Sequence, residues 1–379
     1  MAKLFMISGD RSLAEGKHGA FYNTLEEFHK YWERVDIICP KVSRGSTSGG
    51  FEIEPLFGNV YIHPSPWPLI MQPWWILKKG MEVYREYKFD LMTVHEYPPF
   101  YNGIGARLLW NKIRVSYVIE IHHVPGYPRV ANLKEWFYKL VTRCFIKYDT
   151  AKARVVRVVN QHQVPEFLIR AGVPESKIVY IPSMYINLDV FKPIEVEKKY
   201  DLVFAARLEK NKGILNLIEA VRIVKISRSD IKLLIIGQGT ELNRIKLLAT
   251  RHSLLTNIFF SGWLETPNDV AAAYNSARIF INPSLNEGGP RVALEAMACG
   301  VPVITTPVGI MCDVIRDGEN GLFTDWESER MADIILSLLD SHELQNKFSQ
   351  VGLELVKQFE KKSAIQNFAE KLQGLITEV

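Results

Sequence analysis

The chain has 379 residues, of which 47% are hydrophobic and 23% charged, with a net charge of +4. That length exceeds one ordinary core and predicts two domains, and the composition is that of a globular protein. The four cysteines (Cys39, Cys144, Cys299, Cys312) are scattered without CxxC or metal-type spacing, which speaks against disulfides and zinc. No apolar run approaches the ~20 residues of a membrane span. A strand-like run begins at Lys3, leaving no room for a signal peptide, so a cytoplasmic protein is expected.

Short β-rich runs alternate with helical stretches, the pattern of parallel sheets wrapped by helices. In the first half the expected strands are Leu4–Ser8, Val35–Cys39, Val60–His63, Phe89–His95, Tyr117–His122, Val155–Val159 and Ile178–Pro182. In the second they are Leu202–Ala206, Leu233–Gly237, Ile258–Ser261, Ile279–Pro283, Val303–Thr306 and Leu322–Thr324. Helix-period apolar faces lie between the later strands, and the chain from residue 328 reads as helical. These runs divide the chain into a first domain over 1–183, a linker over 184–199, a second domain over 200–360 and a closing helix over 361–379 able to pack back on the first. Two doubly wound, Rossmann-like α/β domains facing across a cleft would bind ligands at the carboxyl ends of their strands. Charge is uneven: residues 1–183 hold 24 Lys and Arg against 17 Asp and Glu, so that half favours a polyanionic neighbour.

Chemistry concentrates in the second half. Arg207 and Lys212 fall on the loop after an expected strand and could neutralise a diphosphate, although a solvated charged loop is the commoner fate of such clusters. Further on, Glu287-Gly-Gly-Pro-Arg-Val-Ala-Leu-Glu295 reads as a loop tipping into a helix, with Pro290 at its first position and Gly300 closing it. Glu287 should lie at the helix mouth beside the flexible Gly288 and Gly289, with Glu295 about one and a half turns inside. The helix mouth suits an anion, and the carboxylates suit hydroxyl groups. A glutamate on a helix is ordinarily solvated, but Glu295 sits in an apolar Val292–Ala298 helix where a carboxylate needs a partner, and ribose hydroxyls would serve.

Arg207-x4-Lys212-Gly213, Gly237-Gln-Gly-Thr-Glu241, Glu287-x7-Glu295-Ala-Met-Ala-Cys-Gly-Val-Pro302 and Asp317-Gly-Glu-Asn-Gly321 stand in an order that resembles glycosyltransferase family 4. The likeness is strongest over 200–325 and thin before 115, and the Glu-x7-Glu block is its most specific part. The resemblance implies the GT-B fold and retaining transfer from a nucleotide-diphosphate sugar. It implies that Arg207 and Lys212 hold the diphosphate, that Glu295 grips the ribose, and that Glu287 attends the donor sugar with the Gly288 and Gly289 amides. It implies that His122, at the end of Tyr117–His122, faces the reacting sugar, with His123 as the fallback; a strand-end histidine serving only structure is the alternative. The family's compact glycine loop is replaced by the longer, more charged Gly9–Gly19, in which Gly19 is the acceptor-side candidate. Ser183-Met184 and Asn160-Gln161 depart from the family on the hinge and acceptor side.

Residues 64–79 carry three tryptophans and a basic end, and Lys134, Lys139, Arg143 and Lys147 mark a basic helix over 133–148. Both fit docking on an anionic membrane surface, although aromatic residues more often pack in a core. The expectation is therefore a retaining hexosyltransferase using a UDP- or GDP-sugar and a glycan or lipid-linked acceptor. It would be cytoplasmic and peripheral on the inner face of the membrane, with no cofactor or metal and no nucleic acid partner. A catalytically silent nucleotide-sugar-binding subunit and a GT-B phosphorylase or epimerase are the rivals.

Overall fold

The alternating pattern folds as two parallel-sheet α/β units in a computed structural model that describes residues 1–42 and 55–376. The first sheet contains β1 (Lys3–Ile7), β2 (Arg34–Cys39), β3 (Val60–Pro64), β4 (Leu91–His95), β5 (Tyr117–Ile121), β6 (Val155–Val158) and β7 (Ile178–Tyr180). The second contains β8 (Tyr200–Ala205), β9 (Leu233–Ile236), β10 (Ile258–Gly262), β11 (Ala277–Asn282), β12 (Val303–Thr305) and β13 (Leu322–Phe323). Every expected strand is present, with ends displaced by about two residues at most. The orders are β3-β2-β1-β4-β5-β6-β7 and β10-β9-β8-β11-β12-β13, parallel throughout.

Helices cover both faces of such sheets, so central strands are apolar without alternation. Leu202, Val203 and Phe204 of β8 and Ile279, Phe280 and Ile281 of β11 are all buried, each side chain contributing roughly 1.5–3 kcal/mol. Strand order reverses between β1 and β4 in one sheet and between β8 and β11 in the other. The loops leaving those strands are where doubly wound folds place ligands.

The first unit comprises Met1–Val124, Leu140–Ser183 and the segment from Lys362, and the second Pro125–Lys139 and Met184–Lys361. The stretch 184–199 puts Ile186 and Phe191 into the second unit's core. Within the first unit, Phe368 of the closing helix Lys361–Gln373 stacks on Phe28 at 4.9 Å and lies 4.2 Å from the Arg157 guanidinium. Gln373 of the same helix donates to the Tyr31 carbonyl at 2.6 Å.

The same unit buries a carboxyl pair. Glu96 follows β4, Asp149 ends the helix Leu133–Thr150, and both are almost wholly enclosed. Glu96 accepts the Tyr97 N–H at 2.9 Å and the Gly103 N–H, fixing the loop between them. A Cβ at Gly103 would collide with both carboxylates, so only glycine fits there. Burial, and then the neighbouring Asp149, hold Glu96 well above the usual carboxylate range, while burial pushes Asp149 up to about 7. The folded pair keeps protons that an unfolded chain releases above about pH 4. Its contribution is therefore complete below about pH 4 and is lost as the pH rises towards about 7. The denaturant midpoint of the wild-type protein should fall across that window, and Asp149→Asn should flatten the fall. A wild-type midpoint that does not move with pH would contradict the shared burial.

Candidate functional site

In the second unit the loop after β8 and the loop after β11 lie side by side because backbone groups join them. Leu285 N–H donates to the Asn211 carbonyl at 2.7 Å. Gly213 has φ of +66°, and a Cβ there would strike the Pro283 carbonyl. A side chain at that position would thus be both strained and excluded. This close approach brings Lys212 Nζ against Glu287 Oε1 across the 75 residues that separate them in sequence. Lys212 is buried to 9% exposure, so its charge stands in a medium where pairing matters more than at a surface. Ser284 Oγ lies 3.0 Å from Glu287 Oε2 and 2.7 Å from Asn282 Oδ1, and these two acceptors share its single proton. Arg207 stands exposed on the same loop as Lys212.

The helix after Glu287 runs from Arg291 to Ala298, one residue later than expected, with Pro290 as its N-cap and no side-chain cap. Its first turn therefore keeps the partial positive charge of an uncapped terminus. Gly288 gives its carbonyl to Ile310 N–H at 3.1 Å, and Gly289 packs so closely on Met184 that a Cβ would displace the Met184 methyl. Glu295 is partly buried beneath Tyr274, whose hydroxyl donates to Glu295 Oε2 at 3.5 Å. Burial raises the Glu295 carboxyl to about 7, against the opposing pull of Arg291 and the Tyr274 bond. The two glutamates thus occupy separate environments: Glu287 is salt-bridged at the loop, and Glu295 is half-buried on the helix against Tyr274. The Asp317–Gly321 motif forms a turn, in which Asn320 accepts from Arg316 N–H at 2.8 Å and donates to the Val314 carbonyl at 3.0 Å.

In the first unit, His122 directly follows β5 and His95 ends β4, so adjacent parallel strands deliver two imidazoles to the carboxyl end of the sheet. Their rings stack with centroids 4.4 Å apart. Arg157 Nη1 donates to His122 Nε2 at 3.4 Å and to Glu120 Oε1 at 2.6 Å. Because a guanidinium only donates, that contact assigns the His122 proton to Nδ1. Burial, then His95 and Arg157, hold His122 well below the usual imidazole value, and burial lowers His95. His123 is exposed. Gly19 caps the helix Ala20–Phe28 with extended backbone, and nothing lies within 4 Å of where its Cβ would be. Sequence reasoning passed over His95, although it satisfies the strand-end argument that singled out His122. Tyr274 carried no signal, since a buried tyrosine in a helix looks like core.

Sequence reasoning also missed Asn286, which is 2% exposed. Its side-chain amide donates to the Arg129 carbonyl and to Glu135 Oε2, both at 2.8 Å. Arg129 N–H returns a bond to the Leu285 carbonyl at 3.2 Å, and Glu135 Oε2 also accepts from Ala131 N–H at 2.8 Å. Trp326 Nε1 donates to the Ser284 carbonyl at 2.9 Å. The segment 125–139 therefore clasps the loop that carries Glu287. Among the described residues, no group of three or more His, Cys, Asp or Glu is arranged to hold a metal ion. Asn286→Ala leaves the part-buried Arg129 carbonyl and Glu135 carboxylate short of a donor, a cost of about 1 kcal/mol. Hydrogen exchange should accelerate in 125–135 and 284–287 together, and protection unchanged from wild type would refute the clasp.

Residues 186–354 match the family model of glycosyl transferases group 1, a span that holds Arg207, Lys212, Glu287, Gly288, Gly289 and Glu295. An uncharacterized glycosyltransferase of Methanocaldococcus jannaschii is 26% identical over 390 residues, covering 94% of this chain and 95% of that protein. The phosphatidyl-myo-inositol mannosyltransferase of Mycobacterium leprae is 32% identical over 60% of this chain and 58% of its own length. Among solved structures, sucrose-phosphate synthase of Thermosynechococcus elongatus superposes with a TM-score of 0.79 at 20% identity, covering 99% of both chains. HepE of Anabaena, solved with UDP and glucose, gives 0.75 at 18% identity over 99% of this chain and 100% of that one. The group 1 match lies in the second unit and the GT-B fold is shared with these structures, so the chain is similar to group 1 glycosyl transferases.

Proposed function

We propose that the protein is a retaining glycosyltransferase that moves a hexose-type sugar from a UDP- or GDP-sugar to a hydroxyl of a glycan or lipid-linked acceptor. The observation that carries this reading is the part-buried Lys212–Glu287 pair at the point where the second sheet reverses, at the start of a helix without a side-chain cap that holds Glu295. A cation, a helix terminus without a side-chain cap and a half-buried carboxylate in that order complement phosphate, then sugar, then ribose. The mannosyltransferase among the relatives is consistent with a hexose donor and a lipid-linked acceptor. Such an acceptor would put the enzyme on the inner face of a membrane, bound peripherally.

In the proposed reaction the bond from the anomeric carbon to the diphosphate oxygen breaks, and its electron pair leaves with the phosphate. Arg207, Lys212 and the helix terminus at Arg291 stabilise that growing charge without a metal. The acceptor oxygen bonds to the same face of the sugar, and its proton passes to the departing phosphate oxygen. Neither glutamate is a nucleophile: Glu287 orients Lys212 and the donor sugar with the Gly288 and Gly289 backbone, and Glu295 accepts from the ribose hydroxyls. His122 presents Nδ1–H to a hydroxyl of the reacting sugar, with His123 and the Gly19 backbone on the acceptor side.

Lys212→Ala and Glu287→Ala should each lower kcat about a hundredfold or more while the thermal melt persists. Retained transfer in both variants would sink the assignment. Glu295 can accept ribose hydroxyl protons only as the carboxylate. Nucleotide affinity should therefore rise as the pH climbs through about 7, weakening about tenfold per unit below it. Titration calorimetry from about pH 5.5 to pH 8 measures this, Glu295→Gln should remove the slope, and a flat wild-type profile would remove Glu295 from the nucleotide site.

A further inference from the structure

The Trp-rich stretch 64–79 presents Ile70 and Trp74 to solvent, whereas Trp67 and Trp75 pack edge to face on each other at 5.7 Å. A more ordered apolar surface lies on the helix Leu133–Thr150. Its buried residues, Thr142, Ile146, Asp149 and Thr150, define one side. On the other, Leu133 is 86% exposed, Trp136 53%, Phe137 54%, Leu140 45% and Tyr148 56%. At about 100° per residue these five fall within an arc of about 120° facing away from Thr142 and Ile146, and the exposed Cys144 lies inside the same arc. Lys139 and Arg143 run along one flank of the stripe, Lys147 lies just inside that margin, and Lys134 stands on the other flank. The helix's acids lie on the far side: Asp149 is buried, and Glu135 is engaged by Asn286 and Ala131.

Large apolar side chains normally drive a helix against its neighbours, so a stripe this long left in water needs an occupant. We propose that the helix Leu133–Thr150 is an interfacial docking element that seats Leu133, Trp136, Phe137 and Leu140 in an anionic lipid bilayer. Tryptophan, phenylalanine and leucine on one face with lysine and arginine along its edges match the boundary between acyl chains and negative headgroups. A neutral protein groove would satisfy the stripe but not the cations. Among the described residues no helix is long and apolar enough to cross a membrane, so this contact lies along the surface. The proposal deepens the lipid-linked reading of the acceptor and rests on it for its purpose, not for its evidence.

The test is co-sedimentation of the full chain with vesicles of phosphatidylcholine alone and of phosphatidylcholine rich in phosphatidylglycerol. The wild-type protein should pellet with the second and scarcely with the first. Trp136→Ser with Phe137→Ser, and separately Lys139→Gln with Arg143→Gln and Lys147→Gln, should each weaken partitioning about tenfold, with melting temperature and UDP- or GDP-sugar binding retained. Wild-type protein that ignores both vesicles, or variants that bind as well as wild type, would overturn the proposal. So would a dimer that the apolar variant alone dissolves without any vesicle binding, which would make the stripe an interface between copies. Vesicle binding is read without turnover, so its failure stays separate from failure of the transferase assignment.

Discussion

The arrangement of the second unit depends on one close backbone approach, where the Gly213 turn lies against Pro283 and the Leu285 amide is tied to the Asn211 carbonyl. A side chain at Gly213 would push the two loops apart and take Lys212 from Glu287. The cation and the carboxylate are held by backbone contacts rather than by their own attraction, which matters because an ion pair taken from water recovers little net energy unaided. Such a pair can exchange partners while the loops stay in place.

The two carboxylates of the Glu-x7-Glu block show how spacing and environment diverge. Their separation along the chain says only that one precedes a helix and the other lies inside it. Their chemistry comes from what surrounds them: a lysine and a serine for Glu287, a buried tyrosine and an apolar helix for Glu295. One is paired within a network, and the other sits near its own midpoint at neutral pH.

Much of the fold was legible because parallel strands buried on both faces read as apolar runs, as Leu202–Phe204 and Ile279–Ile281 do. The Arg207, Lys212 and Glu287 positions followed from strand-then-loop placement. Asn286, Glu135 and Tyr274 were not legible, because each acts through a partner far away in sequence: Asn286 meets Glu135 across 151 residues, and Tyr274 meets Glu295 across 21. His95 was overlooked for a different reason. Its position at a strand end was visible, but its relation to His122 depends on β4 and β5 being neighbours, which only sheet order reveals.

The interleaving of the two units along the chain governs how the protein can be made. The first unit begins at Met1 yet needs Phe368 to close over Phe28 and Arg157, whereas the second has its last residue at Lys361. Domains fold as units while a chain emerges, so the unit that starts later is the one that can finish earlier. The first must wait, its Phe28 side uncovered, until Phe368 has been made. A fragment ending at the conventional boundary near Ser183 would hold neither the helix that seals the first unit nor a partner for the segment 125–139.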